Sequence, residues 1–200
     1  MTRRVTAYLA GPDVFLPNAT EHAARKVALA ARYGITALAP LNDASTTAMD
    51  QDRAWRAIFH KDIAMMEASD IIIANLTPFR GASADAGTLV ELGWFLGRGR
   101  PVFGYSNSAA RFDARSRAHT MVLPDDCTGL THEGFGLADN LMVVGVVIFG
   151  GNCPMVVPEA GGDLAFDALD IFERCVAAAS EECRRLRLPH PDVDDRFRHD

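Results

Sequence analysis

The sequence predicts an α/β domain, a five-stranded parallel sheet with helices on both faces. Three observations carry this expectation. Apolar runs of strand length recur along the chain, at Val5–Ala10, Ile35–Leu38, Asp70–Leu76 and Pro101–Tyr105. At least one of them, DIIIANL, lacks the polar alternation of a half-exposed strand and reads as buried on both faces. Longer segments with helical spacing of apolar residues separate the runs, and such alternation is the mark of a parallel sheet covered by helices.

Val5–Ala10 (VTAYLA) ends at Gly11-Pro12, a pair that stops a strand. Asn18–Tyr33 reads as a helix, with Asn18 or Thr20 as its N-cap and Gly34 as its stop. Ile35–Leu38 is the second strand. Asp52–Ala68 is helical, because Trp55, Ile58, Phe59, Ile63 and Met66 recur at helical spacing. Asp70–Leu76 is the third strand, Asp85–Leu96 a helix and Pro101–Tyr105 the fourth strand. Gly145–Phe149 (GVVIF) is expected as the fifth, and Leu164–Leu186 as the closing helix. Ser106–Leu137 is read as a long polar stretch, and Gly150–Gly162 (GGNCPMVVPEAGG) as a surface insertion. Loops of such length are usually functional or disordered.

Length and composition narrow the function. A chain of 200 residues reads as one domain over 1–188, followed by a charged tail over 189–200. The net charge of -6 disfavours a polyanionic partner such as DNA, though not a single nucleoside or nucleotide. The N-terminal apolar run is too short for a signal peptide or a membrane span. Cys127, Cys153, Cys175 and Cys183 form no C-x-x-C pair and have no histidine at metal-ligand spacing. They read as reduced thiols of a cytoplasmic protein. No metal or cofactor is called for.

Ligands of such sheets bind beyond the carboxyl ends of the strands. That rim is built from Gly11–Phe15, Asn42–Thr47, Thr77–Asp85 and the chain after Tyr105. The first strand is not followed by G-x-G-x-x-G, and there is no Walker lysine. Glu91 is the odd residue. It sits in a helix otherwise rich in Leu89, Val90, Leu92, Trp94, Phe95 and Leu96, and a buried carboxylate is costly unless paired, hydrogen-bonded or protonated. Asp85 is the expected N-cap, six positions before it. Helical side chains lean toward the N-terminus, so Glu91 points back to the rim over Gly87, which leaves room for a ligand. Each residue also has a plainer reading. Glu91 can be bonded to a neighbouring backbone or arginine, Asp62 can be a solvated helix carboxylate, and Asn140 can be a helix cap with Asp139. Phe15 and Phe79 can stack on a base or simply fill core.

Taken together, AYLAGPDVF, KDIAMMEASDIIIANLTPFRG, ADAGTLVELG and EGFGLADNLM resemble, in order and spacing, the nucleoside 2-deoxyribosyltransferases. The resemblance runs from Thr6 to Met142. It implies a flavodoxin-like domain that moves 2-deoxyribose between nucleobases. It implies Glu91 as nucleophile, Tyr8 as the group orienting it, Asp62 near the base and Asp85 at the sugar hydroxyls. Asn140, followed by Met142 in N-L-M, is implied to reach into a neighbouring subunit's sugar site, which makes the protein a homo-oligomer. Gly11, Phe15, Phe79 and Gly87 complete the expected substrate site. The expected partners are 2′-deoxynucleosides and free nucleobases. Two alternatives stay open. One is a hydrolase of 2′-deoxynucleoside 5′-monophosphates, for which Ser83 and Arg80 are phosphate candidates. The other is a non-catalytic nucleotide-binding module.

Overall fold

The computed structural model describes residues 3–41, 49–122, 129–159 and 162–188. The rim segment Asn42–Thr47, the tail from 189 and Cys127 lie outside the described residues. Four strands form one parallel sheet in the order β2-β1-β3-β4: β1 (Thr6–Ala10), β2 (Thr36–Leu38), β3 (Ile71–Asn75) and β4 (Val102–Tyr105). The central pair pins the register, with Tyr8 beside Ile72 and Ala10 beside Ala74. Alternate side chains enter two cores. Ala7, Leu9, Ile71 and Ile73 face helices α1 (Ala19–Arg32) and α6 (Asp170–Arg185). Tyr8, Ala10, Ile72 and Ala74 face α3 (Ala86–Gly97) and α5 (Leu141–Gly151), with Met66 from α2 (Gln51–Glu67).

The sheet has four strands rather than five. Leu141–Gly151, which contains the expected fifth strand Gly145–Phe149, is helix α5. A continuous apolar run has no period to separate a buried helix from a buried strand. The cap decides: Asn140 Oδ1 accepts from the Met142 amide at 3.0 Å and starts a helix. Gly151 lets α5 lie directly on β4, since a Cβ there would sit 2.0 Å from the Val102 carbonyl oxygen.

The place beside β4 is taken by part of the expected surface insertion. Val156 forms a parallel bridge with Tyr105, donating to Gly104 O at 3.0 Å and accepting from Ser106 N at 2.9 Å. Met155 beside it is buried. The expected loop Ser106–Leu137 also differs, because it contains helix α4 (Phe112–Thr120).

The two helical layers differ on their outer surfaces. Among the described residues, α1 and α6 expose no large hydrophobic side chain. The other layer exposes Trp55 and Phe59 on α2, Val90 and Leu96 on α3, and Leu141, Met142, Ile148 and Phe149 on α5. Trp55 and Phe59, which follow the helical apolar pattern, therefore face outward rather than into the core. Among the described residues, no helix is long and apolar enough to cross a membrane.

Candidate active site

The rim is held from below by a buried polar cluster. Gly11 has φ 146, and a Cβ there would lie 2.6 Å from the Asn75 Cβ, so only glycine fits where β1 turns past β3. The chain then enters a 3-10 turn, Pro12–Phe15. Asp13 in that turn accepts from Lys26 Nζ at 2.8 Å and Asn75 Nδ2 at 2.9 Å, and lies 3.3 Å from His22 Nε2. Burial pushes the Asp13 carboxyl up, but Lys26, His22 and Asn75 outweigh it and hold the group well below the usual carboxylate range. Lys26 also donates to the Tyr105 hydroxyl at 3.1 Å.

Two residues past Asp13, Phe15 stacks on Phe79 with centroids 5.4 Å apart and planes 8° from parallel. Phe79 in turn meets Phe166 at 6.2 Å. The Arg80 guanidinium lies 4.6 Å from the centroids of both Phe15 and Phe79. Phe15 is 55% exposed, which makes it an aromatic surface at the rim rather than core.

On the other side of β1, Tyr8 points into the second core and is fully buried. Its hydroxyl donates to Glu91 Oε1 at 2.6 Å. Asp85 caps α3, accepting from the Gly87 amide at 3.0 Å and the Thr88 amide at 3.3 Å. Both bonds fall on Oδ2, so Oδ1 is not used in capping. A Cβ at Gly87 would meet only Asp85 Oδ2, at 3.1 Å, so the space over this turn is open. Asp62 on α2 is half-buried, and its Oδ1 has no hydrogen-bond partner among the described residues. Lys61 Nζ is 3.7 Å from that oxygen, an ion-pair separation, and donates instead to Leu41 O at 2.6 Å.

Charge ties these groups together. Glu91 is pushed up to about 7, first by burial and then by the charges of Asp62 and Asp85, against the hydrogen bond from Tyr8. Burial raises Asp62 above its ordinary value, opposed by Lys61. Burial, the Glu91 charge and hydrogen bond, and Asp62 hold the Tyr8 phenol above its ordinary range, so it stays a proton donor. Glu91 raised to about 7 and Asp62 raised above its ordinary value, beside an Asp85 oxygen not used in capping, suit acid–base and nucleophilic work.

Tyr8, Glu91, Asp62 and Asp85 thus form one cluster, and Gly11, Phe15 and Phe79 form the adjoining rim. Asn140 and Met142 stand apart. Asn140 bonds none of the four; its side-chain amide donates to Glu133, which also accepts from the Leu141 amide at 3.0 Å. Met142 is 66% exposed. Sequence reasoning missed Glu133, the Asp13 cluster and Arg115. The last two act across distances of tens of residues and leave no local pattern. Glu133 stands seven residues ahead of the Asn140 cap, a spacing that no capping pattern covers.

Comparison with known proteins agrees in fold and points to a family. A family profile described as nucleoside 2-deoxyribosyltransferase matches residues 7–142. A solved 2-desoxiribosyltransferase from Leishmania mexicana is similar, with 30% identity, a TM-score of 0.60, and coverage of 88% of this chain and 97% of that one. A conserved protein from Enterococcus faecalis V583 shares the fold at 21% identity and a TM-score of 0.52, covering 87% and 98% of the two chains. An uncharacterised protein of Schizosaccharomyces pombe is 27% identical over 202 residues, which span 92% of this chain and 90% of the relative.

Proposed function

Because the chain belongs to the nucleoside 2-deoxyribosyltransferase family, we propose that it moves 2-deoxyribose from a 2′-deoxynucleoside to an acceptor nucleobase through a covalent intermediate on Glu91. The observation that carries this reading is the 2.6 Å bond from the buried Tyr8 to the half-buried Glu91 carboxyl. Glu91 Oε2 is left to attack C1′ as the C1′–N bond breaks, and the departing base nitrogen keeps the electron pair. Asp62, which holds its proton more tightly than an ordinary aspartate, delivers that proton to the base. The acceptor base then attacks C1′ with a ring nitrogen, Glu91 leaves, and Asp62 takes up the proton the acceptor gives up. Two inversions give net retention, as in retaining glycosidases. The free Oδ1 of Asp85 accepts from a sugar hydroxyl, while Gly11, Gly87, Phe15 and Phe79 shape the base pocket. No metal enters these steps.

Asn140 and Met142 complete the sugar site of a neighbouring subunit in this reading. The exposed apolar side chains of α2, α3 and α5 support a second copy against that layer. Asn140 would exchange Glu133 for the sugar as it docks.

The hydrolase alternative needs hydroxyls for a phosphate. Ser83 is spent on a bond to the Asp139 carboxylate, which favours transfer. Incubation with 2′-deoxyinosine, with and without adenine, tests the reading. A new deoxynucleoside supports transfer. Base release alone would replace it with hydrolysis, and no turnover would leave a binding module.

A further inference from the structure

Asp139 is fully buried, yet it has no place among the groups that meet substrate. Its carboxylate reaches both halves of the site. Oδ1 accepts from the Ser83 hydroxyl and, at 2.7 Å, from the Asn140 amide. Oδ2 accepts from the Ala84 amide at 3.1 Å. Ser83 and Ala84 lead directly into Asp85, the cap of the helix that carries Glu91. Asn140 opens α5.

Arg115 of α4 supports the same junction. Its guanidinium lies 3.6 Å from Asp139 Oδ2 and is 13% exposed. It donates to the carbonyls of Ala82 at 2.9 Å and Ala138 at 2.7 Å, and to that of Ala110. One buried carboxylate and one guanidinium therefore fasten the residues before Asp85 to the residues before Asn140. A core serving packing alone has little use for a charge here, since an apolar substitute often stabilises as well or better.

We propose that Asp139, backed by Arg115, is a positioning residue that fixes Asp85 and Asn140 in one rigid unit, so that the loop serving a chain's own site and the amide offered to a neighbour's site move together. The proposal rests on the transferase reading of those two residues. Orientation of this kind matters because a small misplacement of a positioning group costs far more rate than stability.

Asp139→Asn keeps the volume and one acceptor but turns a donor toward Ser83 or Ala84. Transfer is expected to fall about ten- to a hundredfold, mainly through KM for the deoxynucleoside. A double-mutant cycle separates positioning from general damage. If Asp139 acts through Asp85 and Asn140, its penalty shrinks in the Asp85→Ala or the Asn140→Ala background. Losses that multiply in full in both backgrounds overturn the proposal. Ser83→Ala, which removes one bond without touching the charge, repeats the cycle if Asp139→Asn does not fold. A wild-type protein with no transfer at all refutes the transferase reading instead, so the two failures are distinct.

Discussion

Replacing Tyr8 by phenylalanine removes one hydroxyl and leaves the ring that packs beside Phe95 at 6.2 Å. The lost bond is short, half-buried and made to a carboxyl, the class worth about 1.5–3 kcal/mol. It favours the charged form of Glu91, so its loss moves the Glu91 pKa upward. By magnitude the shift is about one to two units, from about 7. In the proposed mechanism Glu91 attacks as the carboxylate, so the acid limb of kcat/KM should move to higher pH by the same amount. Below the limb the variant loses roughly one to two decades of rate. Above it, where Glu91 is ionised in both proteins, the gap should narrow. The phenol stays protonated throughout, so its own titration does not enter. The assay is kcat/KM for 2′-deoxyinosine with adenine, from pH 5 to 10, which reports groups of the free enzyme. Equal limb positions in the two proteins would refute the argument, because they would mean the hydroxyl does not act on Glu91.

Two further outcomes concern Glu91 alone, and a third joins it to Asn140. Glu91→Ala should abolish nearly all transfer while near-UV circular dichroism stays native; residual activity within a few-fold of wild type would sink the nucleophile assignment. Glu91→Gln should stabilise the fold at high pH. Glu91 ionises less readily folded than unfolded, so its contribution is full below the ordinary 4.5 and is lost as pH rises through about 7. That displacement is worth about 3 kcal/mol, or roughly 6–12 °C of melting temperature in a chain of this size, present at pH 8.5 and gone near pH 4; an equal gain at both would contradict it. Mixing Glu91→Ala with Asn140→Ala subunits should restore about a quarter of wild-type activity if sites are shared in a C2 dimer. Hetero-oligomers seen by native mass without recovery would mean that Asn140 serves its own chain or none.

The strands and most helices were legible because each announces itself within a few residues. DIIIANL is apolar throughout and bounded, and Asp85 stands where a cap belongs before a helical run. Glu91 was conspicuous for the converse reason, as a charge where local rules ask for none. Misreadings came where local sequence is silent. Leu141–Gly151 is apolar on every side and has no period to read. Val156 is held at the sheet edge by Gly104 and Ser106, about fifty residues back along the chain. The Asp13, Asp139 and Arg115 contacts join distant segments, and no spacing rule covers them. The exposed stripe of Trp55 and Phe59 reads as core in any helical pattern, because periodicity finds the apolar face and not what covers it.

The held lysines have a practical consequence. The sequence contains two, Lys26 and Lys61. Lys26 is 2% exposed and bonded to Asp13 and Tyr105, and Lys61 is turned onto the Leu41 carbonyl. Lys61, with a side chain 31% exposed, is therefore the single lysine that reagents coupling through primary amines can reach. An amine-reactive cross-linker would have to join paired chains through Lys61, so a faint dimer band on a denaturing gel would understate pairing in solution. Lysine-directed dyes and aldehyde supports would depend on Lys61 in the same way. Carboxylate- or guanidine-directed chemistry, or a lysine introduced on the outer face of α6, would give further handles.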